Sequence, residues 1–391
     1  MITAFTIIFW FGVAWLGIVY VGYPLIIMAL AAMRPSPIVR SDTYLPSVTF
    51  VMAAYNEESV IGRRLENYGS IDYPRELLRF IIGSDASIDR TDEIIRSYQT
   101  DDPTIELRHF ERSGKTKIVY TLAEEAVSDI IIFCDADIEM EPDVLRRIVA
   151  CFADERVGGV VVTVTYEDQG ENPGSRGERS YHGFEDRIRW SESLYYSTIG
   201  PTGQCFAVRH GSYTPLTDFR MSDDLNLAIS IALNGRRVWY EPTAVVTEIN
   251  RRTLWTEYHR RVRMGQQSMA TFLRYEGTRF PWSSRIAWQV WGHKVLRNLT
   301  VIPLLMVMAA SAGLIGQSMF YTVVAILIGI WFVLIGVGLI LERAKVHLPL
   351  LGYPLYFTVM IIALMIGSIR AFITGGGLAM WSSPRPQGED I

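Results

Sequence analysis

The run Ile130-Ile131-Ile132-Phe133-Cys134 ends in Asp135-Ala136-Asp137. Two carboxylates at the end of a buried strand lose solvation and repel one another, which raises their pKa and opposes folding unless a cation balances them. Carboxylate oxygens suit Mg2+ or Mn2+, whose remaining positions accept diphosphate oxygens. Such an ion stabilises a departing nucleoside diphosphate as negative charge builds on it. A solvated strand-end loop is the plain alternative.

Three further stations carry acids at the same kind of place. Ala54-Tyr55-Asn56-Glu57-Glu58 follows an apolar run and also fits a helix start capped by Asn56. Ser84-Asp85-Ala86-Ser87-Ile88-Asp89-Arg90-Thr91 offers a carboxylate for the N3 proton of a uracil and small residues that admit a nucleotide; Asp89 or Thr91 could equally cap a helix. Met221-Ser222-Asp223-Asp224 precedes the helical run Leu225 to Leu233, where Asp224 is the candidate base for an acceptor hydroxyl and Ser222 the competing cap. Gly114-Lys115-Thr116 copies the end of a phosphate-binding loop, but that loop needs glycine where His109 stands.

These turns need a scaffold that brings strand ends together. β-branched runs at Val48 to Ala53, Phe80 to Ser84, Ile105 to His109, Asp129 to Cys134 and Val160 to Tyr166 alternate with helix-period segments at Glu58 to Asn67, Thr91 to Tyr98, Lys115 to Val127 and Pro142 to Phe152. In the third segment Ile118, Val119, Leu122, Ala123 and Ala126 form one apolar stripe. The alternation predicts an α/β domain over 48–250, with a mostly parallel, Rossmann-like sheet and ligands at its carboxyl edge.

The flanks read differently. No Asp, Glu, Lys or Arg occurs from Met1 to Met33 or from Asn298 to Leu341, and each stretch exceeds the roughly 20 residues that span a bilayer. The predicted plan is a transmembrane helix over 1–33 and a basic linker over 34–47 before the α/β domain. After it come an amphipathic interfacial region at 251–297, rich in Trp and Arg, three transmembrane helices within 298–381 and a polar tail at 382–391. Two of those helices share the stretch up to Leu341 and the last starts near Pro349. The basic loops then lie on one side, which the positive-inside rule makes cytoplasmic, and the chain is expected to be multi-pass in the plasma membrane. Three cysteines without metal-ligand spacing fit a reducing compartment, and a net charge of -4 over 391 residues gives no reason to expect a nucleic-acid partner.

Taken in order, these stations resemble the inverting, membrane-integrated family 2 glycosyltransferases of the GT-A fold, the branch of hyaluronan, chitin and cellulose synthases. Ala54-Tyr55-Asn56-Glu57 is similar to their opening nucleotide-binding motif, Ser84 to Asp89 to DDGSxD, and Gly114-Lys115 to the start of GKxxALN, where Tyr120 replaces asparagine. The resemblance implies donor contacts from Ala54, Tyr55, Glu57, Asp85, Lys115, Asp135 and Arg263, a Mg2+ or Mn2+ ion on Asp135 and Asp137, and Asp224 as base. It places Gly203, Gln204, Asp223 and Met264 on the acceptor side. Arg263 and Met264 fall where the processive synthases carry the last residues of QxxRW, so methionine stands in place of tryptophan. The implied reaction moves a sugar from a UDP-sugar to a glycan or lipid-linked acceptor, with polysaccharide synthesis and export slightly favoured over a single addition. A catalytically inactive membrane scaffold is the rival of another class.

Overall fold

The computed structural model describes residues 1–166, 173–248, 254–344 and 349–374. The expected polar tail, Lys345 and Arg251 lie outside these residues. Two compact units divide the chain: Leu30–Asp168 with Arg189–Arg251, and Met1–Ala29 with Gln169–Ile188 and Arg252–Gly377.

The first unit is built on one eight-stranded sheet. Its strands are β1 Val48–Ala54, β2 Leu78–Asp85, β3 Ile105–Phe110, β4 Ile130–Cys134, β5 Ile138–Met140, β6 Val157–Tyr166, β7 Cys205–Arg209 and β8 Arg237–Glu248. They lie in the order β3-β2-β1-β4-β7-β6-β8-β5. The half β3-β2-β1-β4 is parallel, β7 runs against both its neighbours, β6 and β8 are parallel, and β5 is an antiparallel edge. Every residue of β1 and β4 is buried, as continuous apolar strands covered on both faces must be. From β1 the chain builds outward to β2 and β3, then returns to β4 on the other side. That reversal opens a crevice at the carboxyl ends of β1 and β4, where ligands of open α/β sheets bind.

The helices over the parallel half are Ile61–Gly69, Thr91–Asp101 and Lys115–Glu125. The last buries Ile118, Val119, Leu122 and Ala123 against the sheet. Its approach depends on Gly83 in β2, because a Cβ there would lie 2.3 Å from the Ile118 Cγ2.

The second unit is helical. Ile2–Met33, Met319–Leu341 and Tyr353–Thr374 are long and apolar enough to cross a membrane. The sequence suggests a separate span just after Asn298, but the helix found there, Val301–Gly313, has 13 residues. At 1.5 Å per residue it covers about 20 Å, short of the ~30 Å hydrocarbon core. It joins Ala287–Asn298 across a 55° bend, a broken span or a re-entrant loop. The amphipathic helix Leu254–Arg274 crosses Pro349–Thr374 very closely, with Gly265 against the Leu364 carbonyl and Gly367 against that of Val262. In the same unit Glu185 is buried between His293 and Arg297, at 3.1 and 2.7 Å.

Candidate active site

Loops after β1 and β2 lock together at the crevice. Asn56 takes a left-handed backbone, φ 54°, which asparagine tolerates. Rather than capping a helix, it donates its N–H to the Ser87 hydroxyl at 3.2 Å and accepts the Ile88 N–H at 3.0 Å. Glu57 is buried and donates its N–H to the Thr91 hydroxyl at 2.8 Å. Asp89 accepts the N–H and hydroxyl of Thr91 from one residue ahead of the helix cap position, which is Arg90 and has no side-chain cap. Ala86 is also left-handed, φ 58°, where L-residues pay about 1–2 kcal/mol and glycine does not.

Asp85 is fully buried, and its carboxylate accepts the Ser113 N–H at 2.6 Å and the Gly114 N–H at 3.1 and 3.2 Å. It also pairs with the Arg112 guanidinium, which lies 3.5 Å from the centroid of the Tyr55 ring. The acid expected to meet a base therefore also fastens the loop 112–114 to the end of β2. Arg112 was not singled out by any motif; its position three residues before Lys115 was the available signal.

That loop delivers Lys115 to the first position of its helix, and its ammonium pairs with the Asp135 carboxylate. Asp135 continues β4 and donates its N–H to the Gln204 carbonyl at 3.0 Å. A cavity here is lined by Lys115, Asp135, Gly203, Asp223 and Asp224 over an apolar wall that includes Phe133 and Leu227. Burial pushes the Asp135 carboxyl upward, Lys115 opposes this, and Asp137 adds to the rise. Burial alone would depress Lys115, but Asp135, Asp223 and Asp224 outweigh it and hold the ammonium firmly charged.

Asp223 and Asp224 open the helix Asp223–Leu233. The Ser222 side chain makes no cap; its hydroxyl instead donates to Asp224 Oδ1, which also accepts the Leu225 N–H at 2.7 Å. Asp224 Oδ2 faces Gly203, at 3.3 Å from where a Cβ would stand. Tyr120, the residue that departs from GKxxALN, is buried, donates its hydroxyl to the Asp223 carbonyl at 3.0 Å and accepts from Asn226 at 2.9 Å. Its ring thus ties the Lys115 helix to the Asp224 helix.

Gln204 directs its amide to Glu248 Oε2 at 2.7 Å, both residues buried. Glu248 pairs in register with Ile138, directly after Asp137, yet no sequence motif marked it. Ala54 ends β1, buried. The cavity is lined entirely by the sheet domain, whereas Arg263 and the 38% exposed Met264 sit on the helix Leu254–Arg274 of the other unit.

Among the described residues no three His, Cys, Asp or Glu side chains are grouped to hold a metal ion by themselves. The donor set still fits a hard dication, since Mg2+ is commonly held by one or two carboxylates with waters and substrate phosphates completing the shell. The crowding of acids around Asp135 is what such an ion would relieve.

Residues 49–214 match the glycosyl transferase family 2 profile. The chain is 27% identical over 241 residues to a beta-monoglucosyldiacylglycerol synthase of Synechocystis sp., covering 59% of this chain and 49% of that protein. It is 24% identical over 235 residues to a poly-beta-1,6-N-acetyl-D-glucosamine synthase of Staphylococcus aureus, covering 59% and 56%. The chain thus spans about half the length of the curated relatives it matches. Among solved structures, the mannosyltransferase PcManGT from Pyrobaculum calidifontis, in complex with GDP-Man and Mn2+, superposes with a TM-score of 0.69 at 21% identity over 95% of this chain and 99% of that one. Sheet order and these matches agree: residues 49–214 carry a glycosyl transferase family 2 domain, and the sheet unit has the GT-A fold.

Proposed function

We propose that the chain is an inverting glycosyltransferase that moves a sugar from a nucleoside-diphosphate donor, UDP-linked by the family likeness, to a glycan or lipid-linked acceptor at the cytoplasmic face of a membrane. The observation that carries this is the convergence of Lys115, Asp135, Asp223 and Asp224 on one cavity at the carboxyl edge of the sheet. In this reading Asp224 is the base, supported by the engagement of its Oδ1 with Ser222 and Leu225 and by the approach of its Oδ2 to Gly203, on the segment assigned to the acceptor. A carboxylate there takes the proton of the attacking hydroxyl as the bond to the anomeric carbon forms and the diphosphate leaves. Tyr55 and Arg112 offer a stacked face for the base. Asp135 and Asp137 would hold Mg2+ or Mn2+, which when bound stabilises charge on the departing diphosphate.

Membranes containing the full chain, given labelled UDP- and GDP-sugars with Mn2+ or Mg2+, should transfer or hydrolyse the donor. Asp224→Asn should lower turnover about 10²–10⁴-fold, the usual range for loss of a general base, while donor binding persists. No metal-dependent turnover of any nucleotide sugar would leave the scaffold reading standing. Product length then separates one addition from repeated addition, since relatives of both kinds are named above.

A further inference from the structure

The cavity lining carries three carboxylates, Asp135, Asp223 and Asp224, and one cation, Lys115. That surplus of negative charge repels a diphosphate that arrives alone, while the ammonium already seated on Asp135 repels a dication that arrives alone. The apolar wall of Val119, Phe133, Phe206 and Leu227 keeps the local dielectric low, so neither repulsion is well screened. The base of the Lys115 side chain is fixed, because Asp85 grips the Gly114 N–H and the helix begins at Lys115 itself. Its ammonium is not fixed, since it rides on a flexible four-carbon stem.

We propose that Lys115 is a placeholder cation, paired with Asp135 until a divalent ion takes its place and free then to turn to the donor diphosphate, so that metal and donor bind weakly apart and strongly together. This rests on the glycosyl-transfer reading above and adds to it a coupling device. Linkage requires the same factor in both directions: the donor strengthens metal binding as much as the metal strengthens donor binding. Lys115 sets that factor because it opposes the metal before the donor arrives and supports the donor afterwards. Replacing the lysine by a neutral side chain therefore has two effects of opposite sign, a pattern that loss of folding or of packing does not produce.

The test is Mn2+ binding by the full chain in detergent, followed by electron paramagnetic resonance of the free ion, with and without UDP or GDP. For the wild type, nucleotide should tighten Mn2+ binding by about 10–100-fold, within the usual span of coupling between sites. Lys115→Met, or Lys115→Gln should the first fail to fold, should bind Mn2+ alone roughly tenfold more tightly and lose most of the coupling. Lys115→Arg, which keeps the charge, should stay close to the wild type. Unchanged or weaker binding of Mn2+ alone in the neutral variants overturns the placeholder role and leaves the transferase reading intact. Absence of Mn2+ binding in the wild type even with UDP and GDP also overturns the placeholder role, and the turnover assay above then decides the transferase reading by itself.

Discussion

Gly203→Ala isolates the position of Asp224 from everything else in the site. Gly203 has φ +76°, so an alanine there pays about 1–2 kcal/mol for a left-handed backbone. Its Cβ would also stand 3.3 Å from Asp224 Oδ2, tighter than ordinary contact, so the carboxylate must give by a few tenths of an ångström. Oδ1 is engaged by Ser222 and Leu225, so the added Cβ presses directly on Oδ2, the edge assigned to the acceptor proton. A misplacement of 1 Å can cost about 10²-fold in rate, so a shift of this size should lower kcat by roughly tenfold. Two matched controls separate strain from displacement. Gly211 and Gly235 have φ +71° and +81° with nothing within 4 Å of the added Cβ. Gly211→Ala and Gly235→Ala should lose the same ~1–2 kcal/mol in thermal unfolding and keep their kcat. Steady-state transfer at saturating donor measures all three. Full activity in Gly203→Ala, or equal loss in the controls, would refute the assignment of Asp224 Oδ2.

Gly83→Ala tests the seating of the Lys115 helix on β2: contacts of 2.3 Å to Ile118 and 3.0 Å to Phe110 should cost about 1–3 kcal/mol by overpacking. The control Gly62→Ala, with its nearest neighbour at 4.0 Å, should show no loss by the same thermal melt. In the helical unit, burial would raise the Glu257 carboxyl, but Arg260 and Arg261, each at 2.7 Å, bring it from 4.5 down to about 2. A pKa depressed by folding gives stability that is complete above pH 4.5 and lost as pH falls toward 2. The wild type should therefore lose about 3 kcal/mol across that window, and Glu257→Gln, followed by unfolding at several pH values, should not show this part of the slope.

How much of this was legible beforehand follows from the range of the interactions. β1 and β4 read correctly because strands buried on both faces are nearly continuous apolar runs, and the helix Lys115–Glu125 because its stripe has one period. β5, with three residues, is too short to show a pattern, and β8 carries Glu241 and Pro242 beside a register shift that breaks the alternation. The mixed order β4-β7-β6-β8 was likewise hidden, since β7 enters between β4 and β6 from 39 positions beyond the end of β6. At the site, the acids were visible as types at strand ends. Their partners were not: Arg112 meets Asp85 across 27 positions, Gln204 meets Glu248 across 44, and Tyr120 reaches Asp223 across 103. None of these pairings leaves a local trace.

The partners so revealed divide the site by mobility as well as by charge. Asp85 and Asp135 belong to β2 and the end of β4, strands held by neighbours on both sides, and Asp223 and Asp224 to the first turn of a helix. The cations that meet Asp85 and Asp135, Arg112 and Lys115, come instead from four consecutive positions between β3 and a helix. Fixed negative charge on the sheet faces positive charge carried on long, rotatable stems. On the proposal made for Lys115, substrate enters without any strand moving, because one side chain exchanges partners. In the proposed reading the acids mark where a diphosphate and its ion sit, and Lys115 governs when they do. Substitution of Lys115 should therefore alter binding order and coupling before it alters the fold, whereas changes at Gly83 and Tyr120, which seat its helix, should do the reverse.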